Sequence, residues 1–170
     1  MKSGHGLALA AAALALSCDR AAVNPDGSIG SAISTSVVIS QVYGGGGNAG
    51  ATYKNDFVEL FNKGDAPVDL TGWSLQYAGS TATTWTAGNQ TVLTSAGILA
   101  PGGYVLVAQA AGAGNGLDLP TPDMSDNTAM SLSAGKVVLV SDSTLLTGAC
   151  PSGASVVDFV GYGTAANCAE

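Results

Sequence analysis

The stretch Gly44–Asn62, GGGGNAGATYKNDFVELFN, decides between two kinds of protein. Gly45, Gly47 and Gly50 fit the dinucleotide-binding spacing G-x-G-x-x-G. Gly45–Thr52 fits the phosphate-loop spacing too, except that Ala51 stands where the lysine belongs. A phosphate cradle works because the loop opens a helix, whose free N–H groups and dipole face the anion. Here the glycines run into YKNDFVELF, where aromatic and β-branched residues alternate with polar ones as in a strand. Lys54 is displaced to the strand side. The glycines with Asn48 therefore read as a flexible loop between two strands, and phosphate binding is rejected.

Outward from that loop the chain keeps period two. Val37, Ile39 and Tyr43 alternate with Val38, Ser40 and Val42, and Trp73, Leu75 and Tyr77 alternate with Ser74 and Gln76. Further strands are expected at Asp56–Asn62, Gly103–Gln109, Lys136–Ser141 and Val156–Tyr162, with a weaker one at Thr91–Thr94. Asn62-Lys63-Gly64-Asp65, Ala100-Pro101-Gly102-Gly103 and Ser133-Ala134-Gly135 supply the turns. No helical period follows residue 35, so a sandwich or barrel is predicted. Its inward side chains are expected to be Trp73, Leu75, Val105, Val107, Val138, Val140, Val157 and Phe159.

Composition agrees with one turn-rich β domain. The chain has 170 residues, 24 of them glycine, and 46% are hydrophobic, enough for a core. Only 10% are charged, against about 25% in an average soluble domain. Five basic residues face twelve acidic ones, a net charge of −7, and one of the five is Lys2 near the N-terminus. Gripping a phosphate backbone takes clustered Lys and Arg, so direct nucleic-acid binding is excluded.

Lys2 precedes the apolar run Leu7–Leu16, which ends at Ser17-Cys18. This is the layout of an export signal, and the run is too short for a membrane span of roughly twenty apolar residues. Its end, Ala15-Leu16-Ser17-Cys18, resembles a bacterial lipoprotein signal with Cys18 as the lipidated residue. In the usual order the large aliphatic residue comes before the small one, and here the two are reversed. Ala15 and Ser17 also form a small-x-small site for ordinary signal peptidase. The expected division is an export signal at 1–17, a flexible tether at 18–35 and a β domain at 36–170.

The β domain resembles the lamin tail domain, an immunoglobulin-like β-sandwich. The resemblance rests on VVISQVYGGGGNAGATYKNDFVELFN, GDAPVDLTGWSLQY, LAPGGYVLV and VVDFVGYG, above all on the Asp56–Asn62 strand, the Gly64-Asp65 turn and Leu70-Thr71-Gly72-Trp73. It covers residues 36 to 170 and is closest to the bacterial, exported branch. It implies an all-β fold without a catalytic site, and the neighbourhood of secreted nucleases, phosphatases or surface modules.

A direct search for chemistry points the same way. The only histidine, His5, lies in the export signal, so the mature chain has no Ser-His-Asp or Cys-His arrangement and no histidine metal site. Glu59 shares a strand face with Phe57 and Phe61 and reads as a structural carboxylate bonded to backbone or to the Trp73 indole, rather than as an acid catalyst. Asp56 and Asp158 fit strand-end turns. Asp118, Asp123, Asp126 and Asn127 offer hard oxygens for calcium without the EF-hand spacing. No metal or cofactor is assigned. Among Trp73, Tyr43, Tyr53, Tyr77, Tyr104 and Tyr162, which together could stack sugars, Tyr53 is the expected exposed contact.

Three cysteines remain. A Cys150–Cys168 disulfide and a lipid on Cys18 use all three. The alternatives are two reduced core cysteines, and a Cys18 that is free or removed. The expected function is a non-catalytic interaction or tethering module on the bacterial envelope, anchored to the membrane through Cys18. Its partner would be an envelope or extracellular protein, or a polysaccharide. The competing readings are an N-terminal accessory domain of a secreted nuclease or phosphatase whose catalytic part lies elsewhere, and a carbohydrate-binding module.

Overall fold

The structure, a computed structural model, describes residues 34–169. The expected export signal, Cys18 and most of the expected tether lie outside the described residues.

Ten strands run in chain order: β1 (Val37–Tyr43), β2 (Asn55–Asn62), β3 (Val68–Asp69), β4 (Ser74–Gly79), β5 (Gln90–Val92), β6 (Ile98–Leu99), β7 (Tyr104–Ala111), β8 (Met124–Ser125), β9 (Gly135–Val140) and β10 (Val156–Tyr162). One 3-10 turn, Ala87–Asn89, precedes β5. The strands form two four-stranded sheets, β1-β2-β7-β8 and β10-β9-β4-β5, and a small β3-β6 ribbon. All pairs are antiparallel except β7 with β8. The protein is an all-β, immunoglobulin-like sandwich.

Alternation places Val58 and Leu60 of β2, Val105 and Val107 of β7, Leu75 and Tyr77 of β4, and Val137 and Leu139 of β9 in one core between the sheets. Burying a side chain of this size stabilises the fold by roughly 1.5–3 kcal/mol. Two bulges change the phase. Between Ile39 and Gln41 the β1 register slips, so Val42 packs against this core and Tyr43 leaves it to stack on Phe57. Simple alternation predicts the opposite for both. A second bulge between Val156 and Asp158 leaves Val157 and Val160 partly buried against the same core.

The second sheet is buried on both faces. Val138, Val140 and Phe159, expected between the sheets, point the other way and join Ala78, Trp85, Val156 and Cys168 in a second core. That core lies under the 80–89 segment, the 142–150 loop and the C-terminal tail. Two-sided burial explains why β9 is buried at every position and reads as a continuous apolar run. Trp73 is only partly buried, whereas Trp85 is 6% exposed and donates its indole N–H to the Gly148 carbonyl at 2.9 Å.

The outer face of the first sheet is covered only at one end, where Tyr43 and Tyr53 pack on Phe57. One row across it is Val38, Phe61 and Tyr104, and the next is Gln41, Glu59 and Leu106. The two sheets meet along the edge strands β1 and β10, where the buried Asp158 carboxylate accepts the Ile39 N–H at 2.6 Å.

These positions rank the tryptophans. Trp85→Ala should cost about 3–5 kcal/mol in urea unfolding, and Trp73→Ala distinctly less. The reverse order would place the larger burial at Trp73.

Candidate functional site

The glycine-rich loop is packed over its first half, while residues 48–50 are exposed. Gly45, Gly46 and Gly47 are buried. A Cβ on Gly46 would run into the Asn55 carbonyl, and Gly47 has φ +70°, which L side chains rarely adopt. Asp56 holds the loop: its carboxylate accepts the Gly46 and Met130 N–H groups, each at 2.6 Å. Gly47 N–H donates to Tyr53 O, while Asn115 donates to Gly47 O from both its backbone and its side chain. The N–H groups of Gly45, Gly46, Gly47 and Asn48 are thus spent on the protein itself.

The other carboxylates are dispersed. Asp158 bridges the sheets from within β10, not from a strand end. Glu59 accepts Ser40 Oγ at 2.7 Å and Gln41 Nε2 at 3.2 Å, both on Oε1, and the Trp73 indole is not its donor. Asp118 pairs with Lys54 at 2.8 Å, Asp123 accepts the Leu106 N–H and Asp126 the Asn127 N–H. Among the described residues no three His, Cys, Asp or Glu side chains cluster for a metal. The calcium set is therefore not brought together.

The most constrained charge is one that the strand pattern hides. Lys136, second in β9, is fully buried under the cover of the second core. Its ammonium donates to Ala82 O at 2.7 Å, Ala149 O at 2.8 Å and Asn167 Oδ1 at 2.9 Å, and lies 5.6 Å from the Trp85 ring centre. Each acceptor belongs to a different covering segment. A disulfide joins Cys150 and Cys168, with their Cα atoms 5.5 Å apart, and so ties the 142–150 loop to the tail. Ser74, Gln76 and Gln90 bind the same loop through Asp142 O, Thr144 O, Leu146 N and Ser143 O. A lysine flanked by Gly135 and four apolar residues was the available sign of burial under a cover.

The aromatic residues form no common platform. Tyr53 is half-buried rather than exposed, edge-on to Tyr43 and Phe57. Tyr77 and Tyr162 are inside, bonded to Ser131 N and Ser131 O. The ring that stands out is Tyr104, 58% exposed and stacked on Phe61 at 4.6 Å.

The model of one family, Lamin Tail Domain, matches residues 31–164. The chain belongs to that family. No curated protein matches it. Lamin tail domains are protein-interaction modules and are not generally catalytic. This lamin tail domain spends its buried polar groups on holding loops. The donors of Lys136, the carboxylates of Asp56 and Asp158, and the amides of Asn62 and Gln109 all bond to the protein itself.

Burial pushes the Lys136 ammonium below the usual lysine range. Its ionic form is held by three carbonyl-type oxygens, which water cannot readily replace. Lys136→Met should therefore destabilise the domain by about 2–4 kcal/mol in chemical denaturation, while the same change at the exposed Lys63 should have little effect.

Tyr162 is the alkaline counterpart. Burial, first, and then the neighbouring Tyr77 and Asp56 push its phenol well above the tyrosine range. Its contribution is complete below the unfolded value, about 10, and is lost as the pH rises beyond it, because only the unfolded chain ionises there. Thermal midpoints of the native protein should fall above that pH, and more steeply than those of Tyr162→Phe. Parallel curves would remove Tyr162 as the cause.

Proposed function

We propose that this lamin tail domain is an exported, non-catalytic interaction module, tethered to a bacterial cell envelope by a lipid on Cys18. The observation that carries the reading is the Cys150–Cys168 disulfide. It braces a cover that holds Trp85 and Lys136 out of water, and such a bond persists only in an oxidising compartment. The signal-like sequence ending at Ser17-Cys18 supports the same address, and supplies the one cysteine outside the bridge. Among the described residues no helix is long and apolar enough to cross a membrane. The family supports interaction as the task, and the partner is an envelope or extracellular protein.

Intact-mass spectrometry of the native protein should show an acylated N-terminus at Cys18 and no free thiol. Cys18→Ser should move the protein from the membrane fraction to the soluble one. A disulfide from Cys18 to Cys150 or Cys168 would refute both the anchor and the native pairing. The purified protein should not cleave DNA, RNA or phosphoesters with or without divalent metal. Turnover that disappears in Glu59→Gln would overturn the non-catalytic reading.

A further inference from the structure

The uncovered end of the first sheet's outer face has a specific chemistry. Phe61 and Tyr104 lie opposite one another on β2 and β7 and stack at 4.6 Å with planes 29° apart. β8 pairs only with Val107 and Ala108, so no strand flanks the second face of the Tyr104 ring. Leu106 follows on the same side of β7, opposite Glu59. Strands β1, β2, β7 and β8 contain no Lys, Arg or His.

The strands of this face thus carry only acidic charge, and the exposed Lys63 follows β2 two residues beyond Phe61. Both hydrogen bonds to Glu59 come from neutral donors and fall on Oε1, which leaves Oε2 without a donor among the described residues. Asp123, exposed at the edge of β7, accepts the Leu106 N–H and has no cation beside it. Among the described residues the ion pair Lys54–Asp118 lies in the loops beyond the far end of β2. Glu59 and Asp123 flank Leu106 in the row next to the open Tyr104 ring, and a ring face beside carboxylates is the environment that holds a Lys or Arg side chain, by cation–π attraction and ion pairing together. The apolar neighbours Phe61 and Leu106 suit the stems of such side chains.

We infer that the strip formed by Phe61, Tyr104, Leu106, Glu59 and Asp123 is the docking surface of the module, and that it takes a basic, extended segment of a partner protein. This rests on the interaction-module reading and names its surface. Charge complementarity commits the occupant: the strip is acidic and the chain carries net charge −7. A polysaccharide fits less well, because one face of the Tyr104 ring is taken by Phe61 and the two stacked rings are not coplanar.

The test titrates a fluorescent octapeptide of alternating Lys and Thr into the full chain with its disulfide intact. Saturable, salt-sensitive binding is expected, weakened about fivefold or more by Tyr104→Ser and by Glu59→Gln. Leu132→Ser, a change at an exposed position away from the strip, should leave it unaltered. Glu59→Gln keeps the side chain's shape, so its melting point should stay close to the native value; Tyr104→Ser gives up the stack on Phe61, so its binding is compared well below its own melting point. Equal binding by the native protein and both strip variants would overturn the proposal, as would no binding at roughly 1 mM peptide. So would tighter binding of a Glu-Thr octapeptide or of a soluble glucan hexamer. None of these outcomes touches the lipid anchor or the native disulfide, which mass and fractionation report separately.

Discussion

The ammonium of Lys136 is the point at which the cover of the second sheet becomes one object. Its three donors reach the 80–89 segment, the 142–150 loop and the tail, none of which is long enough or apolar enough to hold itself in place. Trp85 adds a link from the first of these to the second through Gly148, and the disulfide links the second to the third. Closing a loop of 18 residues contributes about 3 kcal/mol in the chain-entropy model. The buried charge is costly in itself, and a satisfied ammonium is tolerable only because every proton has an oxygen. Remove any covering segment and Lys136 loses an acceptor, while Val138, Val140 and Phe159 meet water.

This arrangement explains how much of the fold was legible. Period two locates the main strands within a residue or two, because Val58/Leu60, Val105/Val107 and Leu75/Tyr77 face one core and their neighbours face away. It fails at β9 and β10, where both faces are buried and alternation no longer distinguishes inside from outside. It fails at Val42 and Tyr43 because a bulge adds a residue that no composition announces. The two-residue strands β3, β6 and β8 are set by partners distant in sequence. Asn62 is one such device, its amide bonding Ala66 O and Leu99 O to shape the turn between them.

The candidate site was less legible than the fold. The glycine loop reads as flexible in one dimension because its partners, Met130, Gly112 and Asn115, come from far along the chain. Asp56 reads as a strand-end residue until its two N–H donors are seen. Tyr53 and Tyr104 are indistinguishable by residue type. What separates them is that Phe57 and Tyr43 close around one, whereas a two-residue β8 leaves the other uncovered.

The two sheets therefore divide the labour. The second is covered on both faces, and its polar groups are consumed in holding that cover. The first is covered on its outer face only at the Phe57 end, by Tyr43 and Tyr53, so the outward residues of its other end are the ones free to meet a partner. Hydrophobic side chains scattered singly on a surface need no explanation, but Phe61 and Tyr104 are paired, and Leu106 lies beside them on the same strand face. Glu59 lies in the middle of that face with one oxygen unclaimed, so a partner that approaches must bring a donor or pay for dehydrating a carboxylate. A cationic side chain meets that requirement. The same packing that makes the interior unreactive thus makes one exterior face selective.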